Sequence, residues 1–299
     1  MRKIALTLII FAIGAIFTMN GYAATPEEAA KQIAETELAF AKMASDTTMT
    51  LAFLEYLHDE AVVFRPETVN GKLWYASRPP NTAQLSWWPI YVLASKSGDM
   101  GLSTGPYEFR TENSDTVPVY HGHFVSIWKR QPDGKFKVMA DLGNSHDKPE
   151  TKVTTLTIGN SVTAAAPKKS GLAIPASNET LAQAESLYSA MSSTEGAVAS
   201  FAKFFADDAR IYRDGDFPFV GKAAAASVYK DAELMMSLKT NFVSTSEGDD
   251  FGYAYGIAKQ WDKKSTIAPV TALSYHRVWR RGDDGHWKIA LDIALPITN

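Results

Sequence analysis

The chain has 299 residues, 45% of them hydrophobic and 21% charged, which supplies core for about two domains and excludes a disordered polyampholyte. With Lys+Arg at 30 and Asp+Glu at 33 the net charge is -3, so the basic footprint that phosphate backbones attract is missing and nucleic acid is not an expected partner. Cys is absent, which excludes disulfides, thiolate metal sites and cysteine nucleophiles together.

Arg2 and Lys3 precede an apolar run over residues 4–17, and Gly21, Tyr22 and Ala23 follow with small residues where a signal peptidase cuts. The run is shorter than the ~20 residues of a membrane span, so residues 1–23 are expected to be a signal peptide cleaved after Ala23. Without Arg2 and Lys3 the mature chain has 28 basic and 33 acidic side chains. It is expected to be periplasmic or secreted, with no membrane association after cleavage.

Thr25, Pro26, Glu27 and Glu28 form a capping box with Pro at the first helical position. Ala30, Ile33, Ala34, Glu37, Phe40, Ala41 and Ala44 then recur at helical spacing, which predicts the first helix. A second helix is predicted over 51–57, and a β-branched strand over 61–64 leads to a break at Pro66. Strands are predicted near 101–109, 120–129 and 136–142, with turn chemistry at Pro132, Asp133 and Gly134.

The chain then repeats itself. His58-Asp59-Glu60-Ala61-Val62-Val63-Phe64-Arg65 returns as Ala206-Asp207-Asp208-Ala209-Arg210-Ile211-Tyr212-Arg213, at an offset of 148. Trp128-Lys129-Arg130 returns as Trp279-Arg280-Arg281 and Asp141 as Asp292, at an offset of 151. Two copies of one domain are therefore expected, at 24–148 and 178–299. Residues 149–177 would link them: 153–158 are β-prone and can add an edge strand, and 164–171 are small, polar and punctuated by Pro and Gly.

These elements resemble the nuclear transport factor 2-like superfamily, in its SnoaL-like or ketosteroid isomerase-like branch. The match rests on the helix carrying Glu37 or Glu185, the strands ending at Phe64 and Tyr212, and the closing hairpins that end in Asp141 and Asp292. The resemblance implies an α+β fold in which each domain is a cone, a curved antiparallel sheet covered by N-terminal helices. It also implies an apolar pocket, used in that family for isomerisation, dehydration, ligand binding or association. The expected function is binding of a small apolar or amphipathic molecule. The alternatives are a lyase or isomerase working in the first pocket, and a structural pseudo-dimer in which the two domains pair within one chain. No P-loop, G-x-G-x-x-G after a strand, G-x-S-x-G or H-E-x-x-H occurs, and no cofactor is called for.

His121 and His123 point to one side of their strand with Val125 and Ile127. They are candidates for acid–base chemistry, for two zinc ligands completed by Glu67 or His58, or for partly exposed rim positions, the reading preferred here. Asp141 is the third catalytic candidate. Alternation places Phe136, Val138, Ala140 and Leu142 on one face, which predicts that Asp141, and Asp292 likewise, look away from the helix-covered core. Glu37 lies on an apolar helix stripe and needs a partner; either Arg65 pairs with it and Arg213 with Glu185, or both arginines point into the pocket to meet a carboxylate on a ligand. Phe64, Arg65, Trp74, Trp87, Tyr91, Tyr120, Tyr212, Arg213 and Tyr275 are the candidate ligand-binding residues. The aromatic middle of the first copy against Ala223, Ala224, Ala225 and Ala226 in the second predicts a more open first pocket and a tighter second one.

Overall fold

The computed structural model describes residues 25–79, 81–114, 116–159, 179–230, 233–264, 271–282 and 284–297. The expected signal peptide and linker residues 164–171 lie outside the described residues. Among the described residues no helix is long and apolar enough to cross a membrane.

Helix α1 (Pro26–Asp46) starts at the capping box: the Thr25 hydroxyl accepts from the Glu28 amide at 3.2 Å, and the Glu28 carboxylate accepts from the Thr25 amide at 2.8 Å. Its buried stripe runs from Ala29 to Phe40 and includes Glu37. Helix α2 (Met49–Tyr56), capped by Thr48, feeds β1 (Leu57–Phe64), which is followed by β2 (Thr68–Asn70), α3 (Gly71–Ala76), β3 (Gln84–Trp87) and β4 (Tyr91–Ala94). The long strands β5 (Met100–Arg110), β6 (Tyr120–Arg130) and β7 (Phe136–His146) complete the copy, and β8 (Thr157–Ile158) lies parallel to β4 at the sheet edge. The second copy repeats the order as α4 (Leu181–Thr194), α5 (Ala197–Phe204), β9 (Phe205–Arg213), β10 (Phe219–Val220), α6 (Lys222–Ala225), β11 (Leu234–Thr245), β12 (Phe251–Asp262), β13 (Thr271–Arg281) and β14 (Trp287–Pro296).

The two sheets run β2-β1-β7-β6-β5-β4-β8, with β3 also on β5, and β10-β9-β14-β13-β12-β11. Both are mixed rather than wholly antiparallel, because β1 joins β7 and β9 joins β14 in parallel. Each sheet bends where a glycine admits a neighbouring backbone. A Cβ at Gly105 would stand 2.0 Å from the Trp88 carbonyl oxygen, and one at Gly256 would stand 2.1 Å from that of Lys239.

One apolar cluster lies under the first helices and one under the second. A third is shared: Leu102, Val125, Ile127 and Leu142 of the first sheet pack with Tyr253, Val278, Leu291 and Ile293 of the second. Two matching turns clasp across it with reciprocal bonds. The Lys96 amide donates to Asp250 Oδ2 at 3.0 Å, and the Glu247 amide donates to Asp99 Oδ2 at 3.1 Å. Each aspartate is steadied by a serine of its own turn, Asp99 by Ser95 and Asp250 by Ser246, both at 3.0 Å. The back of one sheet therefore covers the back of the other, leaving each helix-covered face as the interior of its own domain.

Candidate functional site

The placement of the two strand-end aspartates depends on one extra residue in each closing strand. Ile127 pairs with Ala140 but Trp128 pairs with Val138, so Met139 is a bulge; Val278 pairs with Leu291 but Trp279 with Ile289, so Ala290 is its counterpart. A bulge reverses the alternation beyond it. Phe136 and Val138 face the helices, whereas Ala140 and Leu142 join the inter-sheet cluster. This corrects the expected placement: Asp141 and Asp292 face the helix-covered interior of their domains.

Asp141 stands on the wall of a cavity of about 350 Å³ in the first domain. Phe40 and Phe53 from the helices, and Tyr75 and Trp87 beyond them, form one side. Tyr107 and Phe124 from the sheet form the other. Trp74, Phe109 and Tyr120 are among its more exposed aromatic lining residues, and Arg65 joins Asp141 as the second charged lining group. The Ser126 hydroxyl donates to Asp141 Oδ2 at 2.8 Å. Burial pushes the Asp141 carboxyl up to about 6, with Ser126 and the Arg65 charge pulling the other way. Arg65 donates to the Phe64 carbonyl at 2.6 Å and the Tyr75 hydroxyl at 3.4 Å, and its guanidinium lies 4.5 Å from the Trp74 ring centre.

Behind the aromatic wall, Glu37 is fully buried and accepts from the Trp87 indole at 2.7 Å and the Trp128 indole at 2.8 Å. The expected partner Arg65 is not the one used, because two indole N–H groups already satisfy the carboxylate from inside the core. Both donors are neutral. Burial therefore raises the Glu37 carboxyl to about 7 despite the two hydrogen bonds.

The second domain solves the same problem with charge. Arg213 reaches Asp292 Oδ2 at 2.5 Å, Arg277 Nε reaches Asp292 Oδ1 at 2.5 Å, and Arg277 also meets Glu185 at 3.4 Å. The expected pair of Glu185 with Arg213 is thus corrected to Glu185 with Arg277, and the Trp279 indole supplies the second donor at 2.8 Å. Burial alone would raise Asp292, but the two guanidiniums hold its carboxyl below the usual range.

The remaining candidates lie elsewhere. Phe64, Tyr91 and Tyr212 turn into the inter-sheet cluster, with the Tyr212 hydroxyl 3.0 Å from Thr104 Oγ1 and the Arg210 guanidinium 4.0 Å from the Tyr91 ring centre. Arg213 and Tyr275 belong to the second interior, where Tyr275 bonds Thr240 at 2.8 Å. His123 looks toward the second domain: its Nδ1 is 2.8 Å from His146 Nε2, its ring faces Tyr212, and burial followed by the His146 charge lowers it to about 3. His121 sits in a separate shallow hollow with His146 and Ser145. The pair therefore does not line the cavity, since it shares its strand face with Val125 and Ile127. Of the third zinc ligands considered, His58 accepts from the Glu60 amide, and among the described residues no group of three or more His, Asp or Glu is placed to hold a metal.

No protein-family model matches the chain, and no curated protein matches it. Solved structures do. A ketosteroid isomerase-like protein from Erwinia carotovora atroseptica is 20% identical and covers 41% of this chain and 100% of its own, with a TM-score of 0.34. An NTF2-like protein with a cystatin-like fold from Novosphingobium aromaticivorans is 15% identical over 38% of this chain and 77% of its own, TM-score 0.32. An NTF2-like protein of unknown function from Pseudomonas putida is 14% identical over 46% of this chain and 100% of its own, TM-score 0.34. On its own coordinates each half has the α+β architecture implied by the resemblance, a bent mixed sheet under N-terminal helices.

Proposed function

We propose that the protein is an exported small-molecule binder in which the first domain carries the pocket and the second serves as its scaffold. The observation that carries this reading is the aromatic cavity of about 350 Å³ with two charged groups on its wall, the composition and size of small-molecule sites. The export part rests on residues 1–23, and the form to assay is the chain beginning at Ala24. Support for the scaffold part comes from the shared inter-sheet cluster and the reciprocal Asp99 and Asp250 clasps, which make the two halves an internal pseudo-dimer.

The test uses 1-naphthol, a neutral bicyclic aromatic, followed by thermal shift and tryptophan fluorescence. Saturable binding is expected, with a gain of about 2.7 kcal/mol in stability at 100 times the dissociation constant. Trp74→Ala and Phe109→Ala should each weaken it several-fold, as the loss of one aromatic contact does. Absence of saturation, or binding indifferent to both substitutions, would remove the reading. A catalytic form of the same proposal, a lyase or isomerase, is favoured by one feature: a carboxyl with its pKa at about 6, Asp141, stands on the cavity wall and can exchange a proton near neutral pH.

A further inference from the structure

The closing strands of the two copies correspond in register, and that correspondence shows what the first cavity lacks. Ser126 pairs with Asp141 across β6 and β7, and Arg277 pairs with Asp292 across β13 and β14, each one step before the bulge. Ser126 and Arg277 are therefore the same position. The Arg277 guanidinium lies 4.3 Å from the Tyr188 ring centre and 4.4 Å from that of Tyr275, and it holds Asp292. Tyr188, Tyr275 and Asp292 stand at the positions of Phe40, Phe124 and Asp141. All three of those line the open cavity. The second copy thus carries, inside its own core, a cation seated among the counterparts of the first copy's cavity wall.

The charge balance points the same way. Glu185 and Asp292 are matched by Arg213 and Arg277. In the first copy the charged lining residue beside Asp141 among the described residues is Arg65, because Ser126 is neutral, and Arg65 donates its hydrogen bonds to Phe64 and Tyr75. From this we propose that the first cavity takes a monocation, an amine, amidine or guanidine on an aromatic or apolar body, with Asp141 as its counter-ion and the rings of Phe40 and Phe124 on its flanks. The inference deepens the binding reading above and rests on it. Two physical effects act together: a half-buried carboxylate on an aromatic wall gains from a cationic partner, and aromatic faces attract cations. Arg65 does not compete for the seat, since in the second copy Arg213 and Arg277 occupy different oxygens of one carboxylate. The raised pKa of Asp141 agrees with a missing cation.

Three probes of one size separate the charges: benzamidine as cation, benzamide as neutral analogue and benzoate as anion, titrated calorimetrically at pH 7.5 against the full mature chain. Benzamidine is expected to bind at least tenfold tighter than benzamide, and benzoate weakest. Asp141→Asn should bring benzamidine down to the benzamide level. Ser126→Arg should supply the missing cation from within, abolishing benzamidine binding; should that variant not fold, Asp141→Asn decides alone. Equal affinities for benzamidine and benzamide, or benzoate as the tightest, would overturn the cation while 1-naphthol binding keeps the pocket reading. Failure of all three together with 1-naphthol would overturn both.

Discussion

Asp292→Ala is expected to destabilise the protein by about 3–5 kcal/mol, read from urea unfolding at pH 7. The carboxylate is buried, with 1% of its surface exposed, and it pairs with both Arg213 and Arg277. Removing it leaves two buried guanidiniums with, among the described residues, Glu185 at 3.4 Å from Arg277 as the remaining anionic partner. The matching change in the first copy, Asp141→Ala, is expected to stay within about 1 kcal/mol of the parent. There the carboxyl accepts from Ser126, the Arg65 guanidinium keeps its own bonds to Phe64 and Tyr75, and burial already opposes ionisation, so the loss strips no cation of its hydrogen-bond partner. Equal costs at the two positions would contradict the assignment of one interior as charge-paired and the other as open.

His276→Phe is expected to stabilise the protein, and to do so more at acid pH than at neutral pH. Both ring nitrogens of His276 are buried without a hydrogen-bond partner, against Tyr253 on one side and Phe64 on another. Burial lowers its pKa to about 3, with the Asp292 charge acting weakly in the opposite sense. The folded state therefore refuses a proton that the unfolded chain accepts below about 6.5. Stability linked to this group is whole above 6.5 and is lost as pH falls toward 3, at about 1.4 kcal/mol per pH unit. The variant lacks this loss, so its advantage over the parent should widen by about 2 kcal/mol between pH 6.5 and pH 5. Comparing the two proteins cancels the opposing contributions of Glu37 and Asp141, whose raised carboxyls favour the folded state as pH falls. A constant difference across that window would show that His276 is not held neutral.

Much of the fold was legible because local chemistry and periodicity agreed. The Thr25 box started α1 where the sequence placed it, and the strands near 120–129 and 136–142 are β6 and β7. The parallel join of β1 to β7 was not visible, since periodicity reports which side faces the core and not which strand lies alongside. The bulges at Met139 and Ala290 were hidden for a related reason. Phe136, Val138, Ala140 and Leu142 are all apolar, and both faces of this sheet are buried, one by helices and one by the other sheet. An apolar run covered on both sides carries no mark of where its phase changes.

The candidate site was legible in part. Arg65, Trp74, Trp87, Tyr120 and Asp141 meet round one cavity, while Phe64, Tyr91 and Tyr212 turn to the inter-sheet contact. Phe40, Phe53, Tyr75, Tyr107 and Phe124 were missed as lining residues because they converge from helices and strands far apart in the chain. A carboxylate on an apolar stripe, as at Glu37, signals a buried partner, but the stripe does not tell an indole N–H from a guanidinium. The contrast of Ser126 with Arg277 was present in the sequence, two residues before the repeated Trp128 and Trp279. It became informative only once the register showed each facing its aspartate.

The account depends most on the two interiors differing by one buried cation. The direct measurement is a ¹³C NMR titration of the carboxyl carbons of Asp141 and Asp292 in the ligand-free protein. Asp141 is expected to titrate near 6, and Asp292 below the ordinary aspartate value of 3.8. If Asp141 also titrates below 3.8, its cavity is already charge-paired and the account is contradicted.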